Sequence, residues 1–220
     1  CDVRDPDAVE KMFEEHWPLD GLVNNAAGNF YACSEDLTPN GFKTVVDIVL
    51  HGTFLCSHQF GSRALKDKRL GNIVNIVTTY AHTGSMFVLP SACAKAGVLT
   101  MTKSLGVEWA PYGIRVNAIA PGPIPTEGAW KRLIPSEELE KKLEHSIPMR
   151  RFGTQEELSN LASFLMSDLS SYITAECVAL DGGEGLQGSG FNLLDQFIPR
   201  EQLKAMFQKM KAARSYTARK

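Results

Sequence analysis

The sequence predicts a doubly wound α/β fold built on a parallel sheet. Short apolar runs alternate with helical segments of ten or more residues, the pattern of repeated βαβ units. The run at 73–77 is β-branched and apolar, the composition of a strand covered on both faces. Three of the runs end in clusters of small or turn-forming residues: Asn24-Asn25-Ala26-Ala27-Gly28, Pro121-Gly122-Pro123 and Gly182-Gly183. In an open α/β sheet, ligands bind at that carboxyl end.

Each element has its own signal. Asp2-Val3-Arg4 reads as the end of a strand whose carboxylate accepts a hydrogen bond from a ligand amine, or else Asp2 caps a helix at 7–15. Residues 21–25 form a strand, and small residues after it let a ligand approach the backbone. Leu37-Thr38-Pro39 leads into a long amphipathic helix at 41–65 with Val45, Ile48, Val49, Phe54 and Leu55 on its apolar side. His51 and His58 on it have no third ligand at metal-binding spacing, so they read as packing or surface residues and no metal site is assigned.

After strand 73–77 comes a loop carrying Tyr80 and Gly84. Pro90 then opens a helix near Ser91 that runs to 110. Ser91 and Lys95 are four apart and share a helical face. A tyrosine at the exit of a buried strand thus meets a lysine on the next helix, a place to polarise a carbonyl oxygen. The helix is apolar, with Gly97 and Gly106 lowering its propensity, which suits burial between layers or against a partner subunit. Strand 114–120 ends in Pro121-Gly122-Pro123-Ile124-Pro125-Thr126, a donor-poor stretch of fixed shape suited to edging a flat ring. Residues 127–150 read as a charged helical excursion with Trp130, Lys131 and Arg132. Thr154 and Glu157 form a capping box for a helix to 167, and 176–181 is the last strand. The basic amphipathic helix at 200–211 reads as a docking or oligomer element.

Composition bounds the function. The chain has 220 residues, 44% of them hydrophobic, enough for one sizeable core; 1–220 reads as one domain with a helical tail at 199–220. A net charge of −2 offers no basic face for nucleic acid or anionic membrane, and no apolar run approaches the ~18 residues of a membrane span. Five cysteines without a C-x-x-C pair suit a reducing compartment. The chain opens in mid-motif at Cys1-Asp2-Val3-Arg4, and four strands are visible. A complete dinucleotide-binding (Rossmann-type) sheet needs two further βα units ahead of Cys1, roughly 60 residues including the glycine-rich phosphate loop.

Asn24-Asn25-Ala26, Lys95 and Pro121-Gly122, in that order and spacing, resemble the short-chain dehydrogenase/reductase family over almost the whole chain. The departures narrow the resemblance. Thr78 stands thirteen residues before Ser91, the family's usual Ser-to-Tyr spacing, so Thr78 replaces the serine and Ser91 the tyrosine. The usual helix asparagine falls near Val49. Yet Tyr80 lies two residues past Thr78, and Asn29 is an extra polar residue after Gly28. Both features, with Pro-Ser-Ala-x-Ala-Lys-Ala-Gly and Pro-Gly-Pro-Ile-x-Thr-x-Gly-Ala, resemble the 2,4-dienoyl-CoA reductases of that family, nearest the mitochondrial type.

The resemblance implies a set of roles. Tyr80 and Asn29 hydrogen-bond the substrate's thioester oxygen, Lys95 binds the nicotinamide ribose with Ser91 assisting, and Thr78 holds the serine's place. Asp2 holds the adenine end of NADPH, Asn24 and Ala26 border the cofactor, and Pro121, Gly122, Pro123 and Ile124 line the nicotinamide. Arg4, Phe30, Thr38 and Arg132 contact the acyl-CoA. A homotetramer joined through 41–65 and 91–110 and a mitochondrial matrix location are also implied; the final Ala-Arg-Lys differs from the Ser-Lys-Leu peroxisomal signal. Two other readings stay open. One is a carbonyl or 3-oxoacyl reductase, disfavoured because Ser91 cannot replace a phenol; the other is a catalytically silent nucleotide-binding scaffold.

Overall fold

The computed structural model describes residues 1–126, 130, 134, 136–188 and 192–217. Within them the chain runs α1 (Pro6–His16), β1 (Gly21–Asn24), α2 (Pro39–Val46), α3 (Gly52–Lys66), β2 (Gly71–Ile76), α4 (Leu89–Glu108), β3 (Ile114–Pro121), α5 (Glu137–Ser146), α6 (Gln155–Met166), β4 (Cys177–Leu180), α7 (Leu193–Phe197) and α8 (Arg200–Thr217). The four strands form one parallel sheet in the order β1-β2-β3-β4, with Gly21 opposite Asn72, Asn72 opposite Arg115 and Ala118 opposite Cys177.

Both faces of the sheet are covered, which explains why β2 carries apolar side chains on both sides. Ile73 joins Phe13 of α1, Phe60 of α3, Trp109, Ile114 and Val116 on one face. Its neighbour Val74 turns the other way, packing with Ile119 and with Leu165 of α6. Further along the first face, Val77 and Ala118 meet Val45, Val49 and the α4 residues Ala94 and Val98.

Several boundaries differ from expectation. The helix expected at 41–65 starts earlier, at Pro39, because the Thr38 hydroxyl caps it by accepting from the Gly41 N–H at 3.0 Å. It is also broken by a π-helical turn over Asp47–His51. There α3 passes against the amino-terminal segment: a Cβ on Gly52 would lie 2.7 Å from Val3 Cγ2. The cap of α1 is Asp5, whose Oδ1 accepts from the Asp7 and Ala8 N–H groups, and not Asp2. In the 127–150 region, α5 is capped by Ser136, while Lys131 and Arg132 lie outside the described residues. The capping box at Thr154 and Glu157 forms in both directions, at 2.9 and 3.1 Å. His51 Nδ1 pairs with Asp47 Oδ1 at 3.0 Å and the His58 ring lies against Phe54; among the described residues no cluster of three metal-ligating side chains occurs. Among them, too, no helix is long and apolar enough to cross a membrane.

One buried polar chain ties the layers together near the carboxyl ends of the strands. Asn24 Nδ2 donates to Ser57 Oγ (3.0 Å) and to Asn75 Oδ1 (2.8 Å), and Asn75 Nδ2 donates to Thr102 Oγ1 (2.9 Å). It joins β1, β2, α3 and α4 through side chains shielded from water. Asn75→Ala is expected to remove one of two partners from the Asn24 amide, which keeps Ser57, and one of two from the Thr102 hydroxyl, which keeps the Val98 carbonyl, destabilising the fold by roughly 1–3 kcal/mol. Urea unfolding checks this; an unchanged midpoint contradicts it.

Candidate active site

The chemistry-bearing residues collect where the strands end. Beyond β2, residues Thr79–Ala81 make a single tight helical turn that brings the Tyr80 side chain back toward α4. The Tyr80 hydroxyl lies 3.0 Å from Ser91 Oγ, and Ser91 is only 3% exposed. One turn further along α4, Lys95 is 6% exposed and its Nζ donates to the Ile76 carbonyl at the end of β2. Burial in this apolar setting lowers the Lys95 pKa to about 8. The lysine, one helical turn past Ser91, thus gives up its proton more readily than a free lysine does.

A cleft of about 440 Å³ opens above these groups, lined by Asn29, Thr78, Tyr80, Pro121, Pro123 and Glu184 among others. Asn29 Oδ1 accepts from the Phe30 N–H at 2.9 Å, which leaves the amide NH₂ as the end able to donate to a ligand. Thr78 Oγ1 is buried and has no partner among the described residues, so it presents an unsatisfied hydroxyl beside the cleft. Gly122, at the β3 exit, allows β3 and β4 to close on each other: a Cβ there would lie 2.9 Å from Asp181 Cα. A larger cavity, about 720 Å³, lies at the opposite ends of the strands against Asn72 and Arg115, and none of Tyr80, Asn29, Ser91 or Lys95 lines it.

The remaining expected site residues divide. Pro121, Gly122 and Pro123 line the cleft. Ile124 is half-buried beside it, with its Cγ1 3.1 Å from where a Cβ on Gly153 would stand. Asn24 spends its side-chain amide on the buried chain described above, and Ala26 is exposed at the β1 exit. Asp2 and Arg4, expected to face different ligands, face each other: Arg4 Nε and Nη2 donate to the Asp2 carboxylate at 3.0 and 2.6 Å. That contact holds the Asp2 carboxyl down at about 2. Phe30 is half-exposed, and its ring edge overhangs Gly41. Thr38 acts as a helix cap, and Arg132 lies outside the described residues.

Residues with no sequence-based expectation also line the cleft, notably Glu184, Thr79 and Trp130. The signal for Glu184 was present. Asp181-Gly182-Gly183 places two consecutive glycines at φ +61° and +88°, a conformation that turns the chain back on itself and aims the next residue inward.

Known proteins resemble this chain in sequence and fold. The family described as Enoyl-(Acyl carrier protein) reductase matches residues 1–184. A crystal structure of a short chain dehydrogenase from Bacillus anthracis superposes with a TM-score of 0.77 at 45% identity, covering 86% of this chain and 75% of that one. The chain belongs to the short-chain dehydrogenase/reductase family. Two curated relatives carry more specific names. A probable 2,4-dienoyl-CoA reductase [(2E)-enoyl-CoA-producing] of Bacillus subtilis is 47% identical over 190 residues, 84% of this chain and 75% of the relative. A probable 2,4-dienoyl-CoA reductase 3 [(3E)-enoyl-CoA-producing] of Caenorhabditis elegans is 44% identical over 192 residues, 83% of this chain. This chain spans 62% of the length of the Caenorhabditis elegans relative.

Short-chain dehydrogenases bind a nicotinamide cofactor, and the residues present fit its reactive end. Pro121 and Pro123 give the cleft a floor without N–H groups at those positions, and the unpartnered Thr78 hydroxyl beside them is available to a polar ligand. The buried Lys95 makes its own measurable statement. Its folded pKa is depressed, so between about pH 8 and 10.5 the unfolded chain holds a proton that the folded chain has released. Stability relative to a Lys95→Met variant is therefore expected to rise through that window, by about 3 kcal/mol at 1.36 kcal/mol per unit. Urea unfolding of both proteins at the two ends of the window checks the sign; a flat difference contradicts it.

Proposed function

We propose that this protein reduces 2,4-dienoyl-CoA thioesters to 3-enoyl-CoA with NADPH, the auxiliary step by which unsaturated fatty acids enter β-oxidation. The observation that carries the proposal is the Tyr80 hydroxyl resting 3.0 Å from Ser91 Oγ. The helix position that holds a catalytic tyrosine in the resembled pattern holds a serine, and a phenol from the strand-exit loop is brought to it. The names of the Bacillus subtilis and Caenorhabditis elegans relatives support the same substrate class.

The relocation suits this reaction. Reducing a ketone leaves an alkoxide that must finally be protonated on oxygen. Reducing a conjugated dienoyl thioester only delocalises charge onto the thioester oxygen, as a dienolate, and the proton ends on carbon. The oxygen therefore needs donors that stabilise charge without surrendering a proton. Tyr80 Oη and the Asn29 NH₂ form such a pair across the cleft, with Ser91 orienting the phenol. The cofactor, when bound, supplies the hydride to the far end of the conjugated system. Lys95 is assigned to the nicotinamide ribose, Pro121–Ile124 to the ring, Asn24 and Ala26 to the strand exit along which it lies, and Asp2 to adenine, with Thr78 in the place of the family's catalytic serine. Phe30, Thr38, Arg4 and Arg132 are assigned to the acyl-CoA, and Arg4 must loosen its pair with Asp2 to reach a phosphate. The proposal takes the 3-enoyl product, because a dienolate stabilised at oxygen collapses by protonation at the α-carbon. Use of NADPH over NADH, a homotetramer and a mitochondrial matrix location belong to the same reading and rest on the sequence resemblance.

Tyr80→Phe and Asn29→Ala are each expected to slow turnover of 2,4-hexadienoyl-CoA by about 10²–10³-fold, the cost of removing one oxyanion donor. NADPH binding should stay near normal in both. Steady-state kinetics with cofactor titration checks this, and near-full turnover by Tyr80→Phe contradicts the assignment.

A further inference from the structure

The dienolate account leaves one atom without a source. Tyr80 and Asn29 keep their protons while they hold the oxygen, so the proton that ends on the α-carbon comes from elsewhere. Among the described residues lining the cleft, Glu184 is the only one with a carboxyl group. It sits on the loop beyond β4, folded inward by the two left-handed glycines before it. Thr79 Oγ1, one residue before the tyrosine, donates to Glu184 Oε2 at 3.1 Å, so the carboxyl is anchored to the turn that positions Tyr80. Its other oxygen, Oε1, has no partner among the described residues.

We propose that the Glu184 carboxyl holds the proton that is delivered to the substrate's α-carbon, a role that rests on the dienoyl-CoA reading given above. In that step the Glu184 O–H bond breaks and the α-carbon–hydrogen bond forms from the electron pair of the enolate C1–C2 double bond. The thioester C=O re-forms as the charge leaves its oxygen. Glu184 is left as a carboxylate, and water from the open cleft re-protonates it.

The surroundings favour a protonated Glu184. Burial raises its pKa above the ordinary glutamate value, the neighbouring Asp181 carboxylate raises it further, and the Thr79 hydrogen bond opposes both. Asp181 is itself held by the N–H groups of Gly183 and Gly185, each at 2.8 Å. Trp130, which also lines the cleft, donates its Nε1–H to Glu140 of α5 at 2.9 Å. Among the described residues, Thr79 from the β2 exit and Asp181 from its own loop are thus the polar groups that act on this carboxyl.

The test uses the full-length protein with NADPH and 2,4-hexadienoyl-CoA. Glu184→Gln preserves the size of the side chain and an oxygen for Thr79 but has no acidic proton. Its kcat is expected to fall by about 10² or more, the typical contribution of a positioned acid. KM for both ligands and the melting temperature should stay close to those of the native protein. The native kcat should decline as pH rises through the raised Glu184 pKa, and that limb should vanish in Glu184→Gln, with partial recovery of rate in Glu184→Asp. An infrared carboxylic-acid band present in the native protein above the ordinary glutamate pKa, and absent from Glu184→Gln, reads the proton without turnover. Glu184→Gln with kcat within about twofold of native and an unchanged pH profile overturns the inference. So does a loss of rate that comes with lost cofactor affinity and a lower melting temperature, since that marks a structural role. A native protein inactive on the dienoyl thioester removes the underlying reading instead, which separates the two failures.

Discussion

The hydrogen bond between Tyr80 and Ser91, 3.0 Å from oxygen to oxygen, is the contact on which the site depends. It couples the exit of β2 to the first turn of α4, two elements whose relative position is set by the sheet and by the helix layer packed on it. Because Ser91 is buried and α4 is seated on Val77, Ala118 and their neighbours, the phenol is offered a single place to rest. The buried chain from Asn24 through Asn75 to Thr102 braces the same corner from below. The cleft inherits its shape from these constraints, with Asn29 on one side and the Pro121–Pro123 floor on another.

Two titratable groups sit near this corner, each displaced from its ordinary pKa in the direction of neutrality. Burial lowers Lys95 and raises Glu184. The common cause is removal from water, which disfavours charge of either sign.

Much of this was legible in the sequence. The four strands, the order of helices between them and the capping box at Thr154 follow from local patterns that the tertiary structure leaves intact. The replacement of the helix tyrosine by Ser91 was readable by counting from Thr78, and the presence of Tyr80 two residues on made relocation the natural explanation. The π-helical turn at Asp47–His51 was not readable, because an amphipathic pattern looks the same whether the helix is continuous or widened by one residue. The Asp2–Arg4 pairing escaped for a related reason: spacing shows which side chains share a neighbourhood, and not which of them choose each other. Thr38 shows the same limit, since one threonine before a proline marks a helix start and a ligand contact equally well. Glu184 was marked only indirectly, by the Gly182-Gly183 pair before it, whose consecutive positive φ angles set the course of its loop.

The central claim is that a phenol supplied from the strand exit, with an amide beside it, makes this a site for a conjugated thioester and unsuits it to a ketone. The most direct measurement is the ratio of kcat/KM for 2,4-hexadienoyl-CoA to that for a matched 3-oxoacyl-CoA, followed by NADPH consumption with the full-length protein. The account predicts turnover of the dienoyl thioester with negligible reduction of the ketone. Efficient reduction of the 3-oxoacyl thioester, with the dienoyl compound left untouched, would contradict it.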